Sequence, residues 1–412
     1  MNKTKSIRGM HDLLGEDFLS QKEIIKLFES IAHNFNFKPI ETPIMEFNEV
    51  FSRTLGFSSD VVMKEMYTFI DRSNDKLTLR PEGTAGIARA IISNGLTQDL
   101  PLKYYYYGPM FRYERPQKGR LRQFTQVGVE VYSKPGIEKD FEVIYLAVNF
   151  LKNLNILDNL ILKINNLGNL EDRNNYKKIL KEYYLQHKSN LSKDSMIRLE
   201  KNPLRILDSK CLEDIEVNKH APNISDVLSE QSKKNFIKLK NILKEFNILY
   251  EEDPFLVRGL DYYSNTIFEF TLKNASKFAI LAGGNYDNLV SELGGPKLSG
   301  TGWAAGLERL ISLVKLKNKK IKIILLIPMQ PEFLIAAYKI REKLLNSSYS
   351  TEVHIDKNLK KSLKYANKIK AEYAIILGEE EVKKGVYTVK NLNTGLQNTI
   401  EKKFILEFFK ND

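Results

Sequence analysis

A chain of 412 residues exceeds the usual size of one domain, so two or three units, each with its own core, are expected. With 42% hydrophobic and 28% charged residues it is not a disordered chain, and no apolar stretch approaches the roughly 20 residues that a membrane-spanning helix needs. The 63 Lys and Arg against 51 Asp and Glu give a formal charge of +12, which favours an anionic partner such as nucleic acid, although a Lys- and Asn-rich composition along the chain accounts for it as well.

Apolar residues recur at helical spacing from Glu16 to Phe35 (Phe18, Ile24, Ile25, Phe28, Ile31, Ala32, Phe35), predicting a helix with one core-facing stripe. Short β-rich runs follow, bounded by Pro or Gly: Lys38 to Glu46, Met66 to Asp71, Lys76 to Arg80, Lys103 to Glu114 and Leu121 to Tyr132. The last two flank RPQKGR and read as a long hairpin. Between about Asn165 and Asn247 a Lys/Asn/Leu-rich helical pattern takes over, as in KKILKEYYLQHK, and reads as an inserted subdomain. Strand signals return at Asn265 to Leu272 and Phe278 to Leu281. GTGWAAGLERLISLV then reads as a strand end entering a helix with Leu307, Leu310, Ile311 and Val314 on its apolar side. Lys315 to Lys322 is a charged linker, beyond which strands and helices alternate as in an α/β unit.

The hairpin is the most informative segment. Side chains two apart on a strand share a face, so Arg122, Phe124, Gln126, Gly128 and Glu130 would line one surface, with Gly128 leaving room for a ligand. Arg112 and Glu114 lie on the preceding strand, and Arg115, Lys118 and Arg120 in the loop suit phosphates or an RNA backbone. An exposed face laced with ion pairs is the plainer alternative. In LRPEGTAG, Glu82 and Thr84 sit where a helix N-terminus offers free donors, or Thr84 is simply its cap. In VRGLDYYSNTIFEF, Arg258 either counters phosphate charge or pairs with Asp261, and Tyr262 and Tyr263 either meet a ligand or pack in the core. Gly300, Gly302 and Gly306 are spaced too widely for a dinucleotide fingerprint, while Arg309, seven positions past Gly302, is placed near the same helix face. The five histidines show no metal-ligand spacing, no Ser/His/Asp nucleophile signature is present, and the single Cys211 excludes a disulfide or a Cys-rich zinc site. That cysteine usage, with an N-terminus lacking an apolar signal core, gives an expectation of a cytoplasmic protein.

Taken together, these segments resemble the histidyl-tRNA synthetases, a family of class II aminoacyl-tRNA synthetases, over nearly the whole chain from RGMHDLL to VYTVKNLNTG. FKPIETPIME is similar to class II motif 1, FRYERPQKGRLRQFTQVGVE to motif 2, GTGWAAGLERL to motif 3, and RGLDYY to the family's own histidine signature. The resemblance implies an α+β catalytic core built on an antiparallel sheet (1–165 and 248–316), a helical insertion (166–247) and a C-terminal α/β anticodon-binding domain (320–412). It implies ATP as substrate with Mg²⁺, L-histidine and its tRNA as partners, and a homodimer built through motif 1. Carried over by motif, Glu82, Thr84 and Gln126 meet the α-amino group of histidine and Glu130 and Tyr263 its imidazole, with Gly83, Arg258 and Tyr262 also in the histidine site. Arg112 and Arg258 act on the α-phosphate as the catalytic pair, Phe124 stacks on adenine, Arg120 and Arg309 bind the rest of ATP, and Arg115 and Gln117 approach the tRNA acceptor end. The resemblance names no metal ligands. The chain departs from the pattern AGGRYDGL at Asn285 and Asn288, which implies a missing cation near the site, and Trp303 replaces a usual Phe, implying a tighter pocket floor. A synthetase-like regulatory subunit of ATP phosphoribosyltransferase shares this core but lacks the C-terminal unit, which this chain keeps along with Arg112, Arg258 and Arg309.

Overall fold

A computed structural model describes residues 4–56, 59, 61–117, 119–314 and 322–410, excluding the side chains of 275–277 and 410. Lys118 and residues 315–321 of the expected linker lie outside the described residues. The chain divides into two compact units, 1–316 and 317–412.

The first unit begins with α1 (Glu16–Asn34), which buries Ile24, Ile25, Phe28, Ile31 and Ala32 but leaves Phe18 exposed. The extended run predicted over Lys38 to Glu46 splits into β1 (Lys38–Pro39) and β2 (Met45–Phe47), because Pro39 and Pro43 cannot donate to a continuous ladder. After α2 (Asn48–Thr54), the strands β3 (Tyr67–Ile70) and β4 (Lys76–Leu79) join β2 in a three-stranded sheet of order β2-β4-β3. The helix α3 (Thr84–Ser93) leads to the long hairpin β5 (Leu102–Phe111) and β6 (Gln123–Ser133), paired antiparallel from Leu102↔Tyr132 to Phe111↔Gln123. Next come α4 (Ile137–Asn153) and β7 (Leu160–Asn166), which periodicity alone left unassigned.

The inserted helices are α5 (Leu170–Gln186), α6 (Lys193–Lys201), α7 (Leu204–Leu207), α8 (Leu212–Asn218) and α9 (Glu230–Glu245). The chain then returns through β8 (Tyr250–Glu252), β9 (Ser264–Leu272), β10 (Ala275–Tyr286), α10 (Leu289–Glu292), β11 (Ser299–Gly306) and α11 (Leu307–Ile311). These strands complete a sheet of order β1-β5-β6-β11-β10-β9-β7-β8, antiparallel from β5 to β7 and parallel only at its two ends.

Its two faces divide the unit. Alternate residues Val127, Val129, Val131, Trp303 and Ala305 point to one side, where they pack on α1, α4 and α9. The register Trp303↔Val129 sets those side chains together. Leu239 and Leu243 of α9 belong to this core, so the last inserted helix packs beneath the sheet, while its N-terminal Ser229 and Ser232 donate to Asp172 of α5. The other face carries Gln126 and Glu130 and is covered by α3, α5 and the tyrosines that follow Asp261.

The second unit runs β12 (Lys322–Pro328), α12 (Leu334–Leu344), β13 (Tyr349–Val353), α13 (Leu359–Lys368), β14 (Tyr373–Leu377), α14 (Glu379–Lys384), β15 (Val386–Asn391), β16 (Gln397–Glu401) and α15 (Ile405–Lys410). Its sheet has the order β13-β12-β14-β15-β16, with the first three strands parallel and the rest antiparallel. The central β12 is buried on both faces, Ile324 and Leu326 on one side and Leu325 and Ile327 on the other, as an almost wholly apolar parallel strand requires. The sequence pattern missed α14 and β16, both short and polar.

Candidate active site

A cleft opens on the Gln126 face of the long sheet. Strand alternation brings Phe124 and Gln126 into it, and the chain reversals around it add Arg112, Arg120, Arg258 and Arg309 together with Glu82, Glu114 and Glu308. Four guanidinium groups in one cleft, relieved by only a few carboxylates, make a site for a polyanion.

At one end, Arg112 donates its Nε to the Pro81 carbonyl at 2.9 Å and holds its guanidinium 5.5 Å from the centre of the Phe124 ring. Arg120 Nη1 lies 3.1 Å from Glu114 Oε2. Arg309 is fastened by Nε to the Gly119 carbonyl at 2.9 Å and by Nη1 to the Ala279 carbonyl at 2.8 Å, so it bridges the hairpin loop and β10. Burial, with Arg120 and Arg112 nearby, lowers the pKa of Arg309, as expected where like charges await a counter-ion. Glu308 accepts the Thr125 N–H at 2.7 Å, and burial raises its carboxyl above the usual range. The helix-face argument for Arg309 does not hold, because Gly302 lies in β11 and not in the helix.

At the other end, Glu82 accepts the backbone N–H groups of Thr84 and Ala85, both at 2.7 Å, at the N-terminus of α3. The capping carboxylate is therefore Glu82, and Thr84 is not the cap. Thr84 instead donates its hydroxyl to Glu130 Oε1 at 2.7 Å. Tyr286 donates to the other oxygen of Glu130. Glu130 is fully buried and does not line the cleft; it sits directly behind Thr84. Burial pushes its carboxyl up to about 8, against the opposing pull of the Tyr286 and Thr84 hydrogen bonds. Burial raises Glu82 as well, less the effect of its two backbone donors. Gly83 donates its N–H to Gln126 Oε1 at 3.3 Å, and the Tyr106 hydroxyl donates to the same atom at 3.4 Å.

Two expectations for this strand fail. Arg122 does not enter the cleft; its guanidinium lies 3.8 Å from the centre of the Tyr113 ring and its Nε donates to the Glu114 carbonyl. The space beside Gly128 is not left for a ligand: a Cβ there would stand 2.5 Å from the Tyr106 ring, its cross-strand neighbour.

The turn before β9 brings in Arg258, Leu260, Tyr262 and Tyr263. Arg258 pairs with Glu269 at 2.9 Å rather than with Asp261, and stands 5.8 Å from the Tyr263 ring centre. The two tyrosine rings lie 4.6 Å apart, and burial raises both hydroxyls above their usual pKa. Arg115 and Gln117 are exposed on the hairpin loop, outside the cleft lining.

Both departures from the family pattern fall on the opposite face or edge. Trp303 stacks on Phe150 at 6.0 Å and donates its indole N–H to the Val143 carbonyl, so it forms no part of the pocket floor. Asn285 is buried against α4, bonding Thr301 and Ser264, and the neighbouring Lys139 ammonium, 2.7 Å from Ser299 Oγ, supplies a cation to that cluster. Asn288 lies just beyond β10, at the start of α10. Tyr106, Tyr286 and Glu308 escaped the sequence reading, although YYYYG, GGNYD and GLERL were all in view; Tyr106 meets Gly128 by cross-strand register, while Tyr286 reaches Glu130 across the intervening β11 and Glu308 reaches Thr125 from α11.

Two family matches divide the chain as its units do: "Histidyl-tRNA synthetase" over residues 9–310 and "Anticodon binding domain" over 323–412. The histidine--tRNA ligase of Rhodospirillum rubrum is 45% identical over 410 residues, 99% of each chain, and that of Fervidobacterium nodosum is 41% identical over 98% of each. Among solved structures, the apo histidyl-tRNA synthetase of S. aureus superposes with a TM-score of 0.82 at 30% identity, covering 99% of this chain and 100% of its own. An ATP phosphoribosyltransferase regulatory subunit/histidyl-tRNA synthetase from Bacillus halodurans is similar at a TM-score of 0.66 and 22% identity over 88% of this chain, a likeness of fold alone. With a family match across most of its length and full-length relatives above 40% identity, this chain belongs to the histidyl-tRNA synthetase family.

Proposed function

We propose that the protein attaches L-histidine to its cognate tRNA in the cytoplasm, through a histidyl-adenylate made from ATP. The observation that carries this reading is a single cleft holding Arg112, Arg120 and Arg309 at one part of its wall and Glu82, Thr84, Gln126 and Tyr263 at another, with Arg258 beside Tyr263: a polyanion site adjoining a site for an amino acid. Glu82 and Gln126 present oxygens to the α-ammonium; each Glu82 oxygen keeps lone pairs beyond its backbone bond. Tyr262 and Tyr263 wall the imidazole, and Glu130 reaches it by exchanging its Thr84 hydrogen bond, which frees the Thr84 hydroxyl for the amino end.

Phe124 stacks on the adenine ring with Arg309 on the far side of the nucleotide, Arg112 meets the α-phosphate, and Arg120 reaches the terminal phosphates. The substrate carboxylate oxygen attacks the α-phosphorus, and the bond from that phosphorus to the bridging oxygen breaks as pyrophosphate leaves. Arg112 and Arg258 stabilise the added negative charge, so catalysis consists of positioning and charge stabilisation without a protein nucleophile. Glu114 and Glu308, the carboxylates beside the cleft arginines, would hold a Mg²⁺ that accompanies ATP. Bound there, the ion would neutralise phosphate charge. Arg115 and Gln117 face the tRNA acceptor end, and the second unit docks the anticodon. A homodimer through motif 1 accords with exposed Ile44, Met45 and Phe47 beside exposed Phe69 and Ile70 of the same small sheet.

Pyrophosphate exchange into ATP, assayed with each standard amino acid in turn, tests the reading. Exchange should appear with histidine alone; its absence with histidine would overturn the assignment.

A further inference from the structure

The turn from Val257 to Tyr263 carries Arg258 and Tyr263 into the cleft without belonging to any helix or strand. Its carbonyl groups have no ladder or helix to satisfy them and must find partners elsewhere. The inserted helices supply those partners from behind. Arg173 of α5 donates its Nη1 to the Asp261 carbonyl at 2.8 Å and also to the Tyr263 carbonyl. Arg205 of α7 donates its Nη1 to the Arg258 carbonyl at 3.1 Å. Asn202, just before α7, donates its Nδ2 to Asp261 Oδ1 at 3.0 Å. Asn202 and Arg205 are buried in doing so. From the opposite side the Asp261 N–H is held by the Leu55 carbonyl at 3.3 Å, and the Asp261 carboxylate lies so close to Gly56 that a Cβ there would be 2.1 Å from it.

We infer that the helical insertion splints this turn, with Arg173 and Arg205 acting as positioning residues that aim Tyr263 and Arg258 at the substrate. The two carbonyls bridged by Arg173 flank Tyr262, so one guanidinium sets the spacing of both tyrosines. Charge-assisted bonds to main-chain carbonyls hold such a turn more firmly than neutral ones, and misplacing a substrate-contacting group by about 1 Å costs up to about a hundredfold in rate. The insertion then takes part in adenylate formation and not only in tRNA contact. This inference rests on the roles proposed above for Arg258 and Tyr263.

The test is histidine-dependent pyrophosphate exchange by the full-length protein, with histidine and ATP varied separately. Arg173→Met should raise KM for histidine about tenfold while KM for ATP stays within about twofold, and Arg173→Lys, which keeps a cationic donor, should recover most of the loss. Arg205→Met should lower kcat more than it raises KM for histidine, since it releases the Arg258 carbonyl. Simple loss of folded protein would lower the titrated active fraction and leave both Michaelis constants unchanged; that result overturns the splint. If Arg173→Met is insoluble, Arg205→Met decides on its own: the splint stands if its kcat per titrated site falls, and falls with it if that value stays normal. An inactive Arg258→Ala alongside insertion variants of wild-type KM and kcat would sink the splint alone, whereas a fully active Arg258→Ala would remove the site reading beneath it.

Discussion

Arg258 enters the cleft with its Nη1 donating to Glu269, while its buried Nε meets no hydrogen-bond acceptor among the described residues. In the proposed mechanism the guanidinium stabilises the negative charge that develops at the α-phosphorus. Arg258→Ala should therefore cut single-turnover adenylation by about a hundredfold or more while the circular dichroism spectrum stays unchanged; near-normal adenylation would refute its role. Glu130 yields a pH prediction. Burial raises its carboxyl to about 8 in the folded protein, so folding binds a proton that the unfolded chain has released at neutral pH. The stabilisation from that proton is complete below the ordinary carboxyl pKa near 4.5 and is lost as pH rises through about 8. Melting temperatures measured from about pH 5 to about pH 9 should fall less steeply for Glu130→Gln than for the wild type. Identical slopes would mean that the carboxyl is ionised throughout. The identities of Glu82, Gln126, Glu130 and Arg258 were legible from motifs, but their environments were not: burial of Glu130 behind Thr84 follows from α3 covering the sheet, a contact 46 residues away along the chain.

At the level of the element, β11 shows how closely strands must approach for the site to form. A Cβ on Gly302 would stand 1.8 Å from Glu130 Oε2 and 2.4 Å from the Val129 carbonyl, whereas one on Gly306 meets nothing within 4 Å. Gly302→Ala should cost about 1–3 kcal/mol of stability and raise KM for histidine, with Gly306→Ala near wild type in melting temperature. Equal melting of the two variants would show that the strand shifts freely. The hairpin was legible because period-two alternation survives in any strand. Its ends were not: Arg122 leaves the face for the Tyr113 ring and the Glu114 carbonyl, partners that the alternation does not record. In the same way α9 reads as one more helix of the insertion, yet it packs on α4, with Leu239 and Leu243 in the core beneath the long sheet.

For the whole molecule, two compact units with separate cores predict separable activities. Removing residues 320–412 should abolish tRNA charging while sparing histidine-dependent exchange to within about tenfold, because every cleft-lining residue lies in the first unit. Equal loss of both activities would argue that the second unit holds the first in shape. By itself the sequence determined the family, the antiparallel core with its α/β partner, and nearly all the charged side chains of the cleft, because strand alternation and short motifs are local and survive without neighbours. Only the tertiary structure decided that Tyr106 fills the space beside Gly128, that Tyr286 holds Glu130, that Trp303 faces away, and that inserted helices grip the turn bearing Arg258. Periodicity records which face of an element is buried, but what covers that face is set by sheet register and helix packing between residues far apart in the chain.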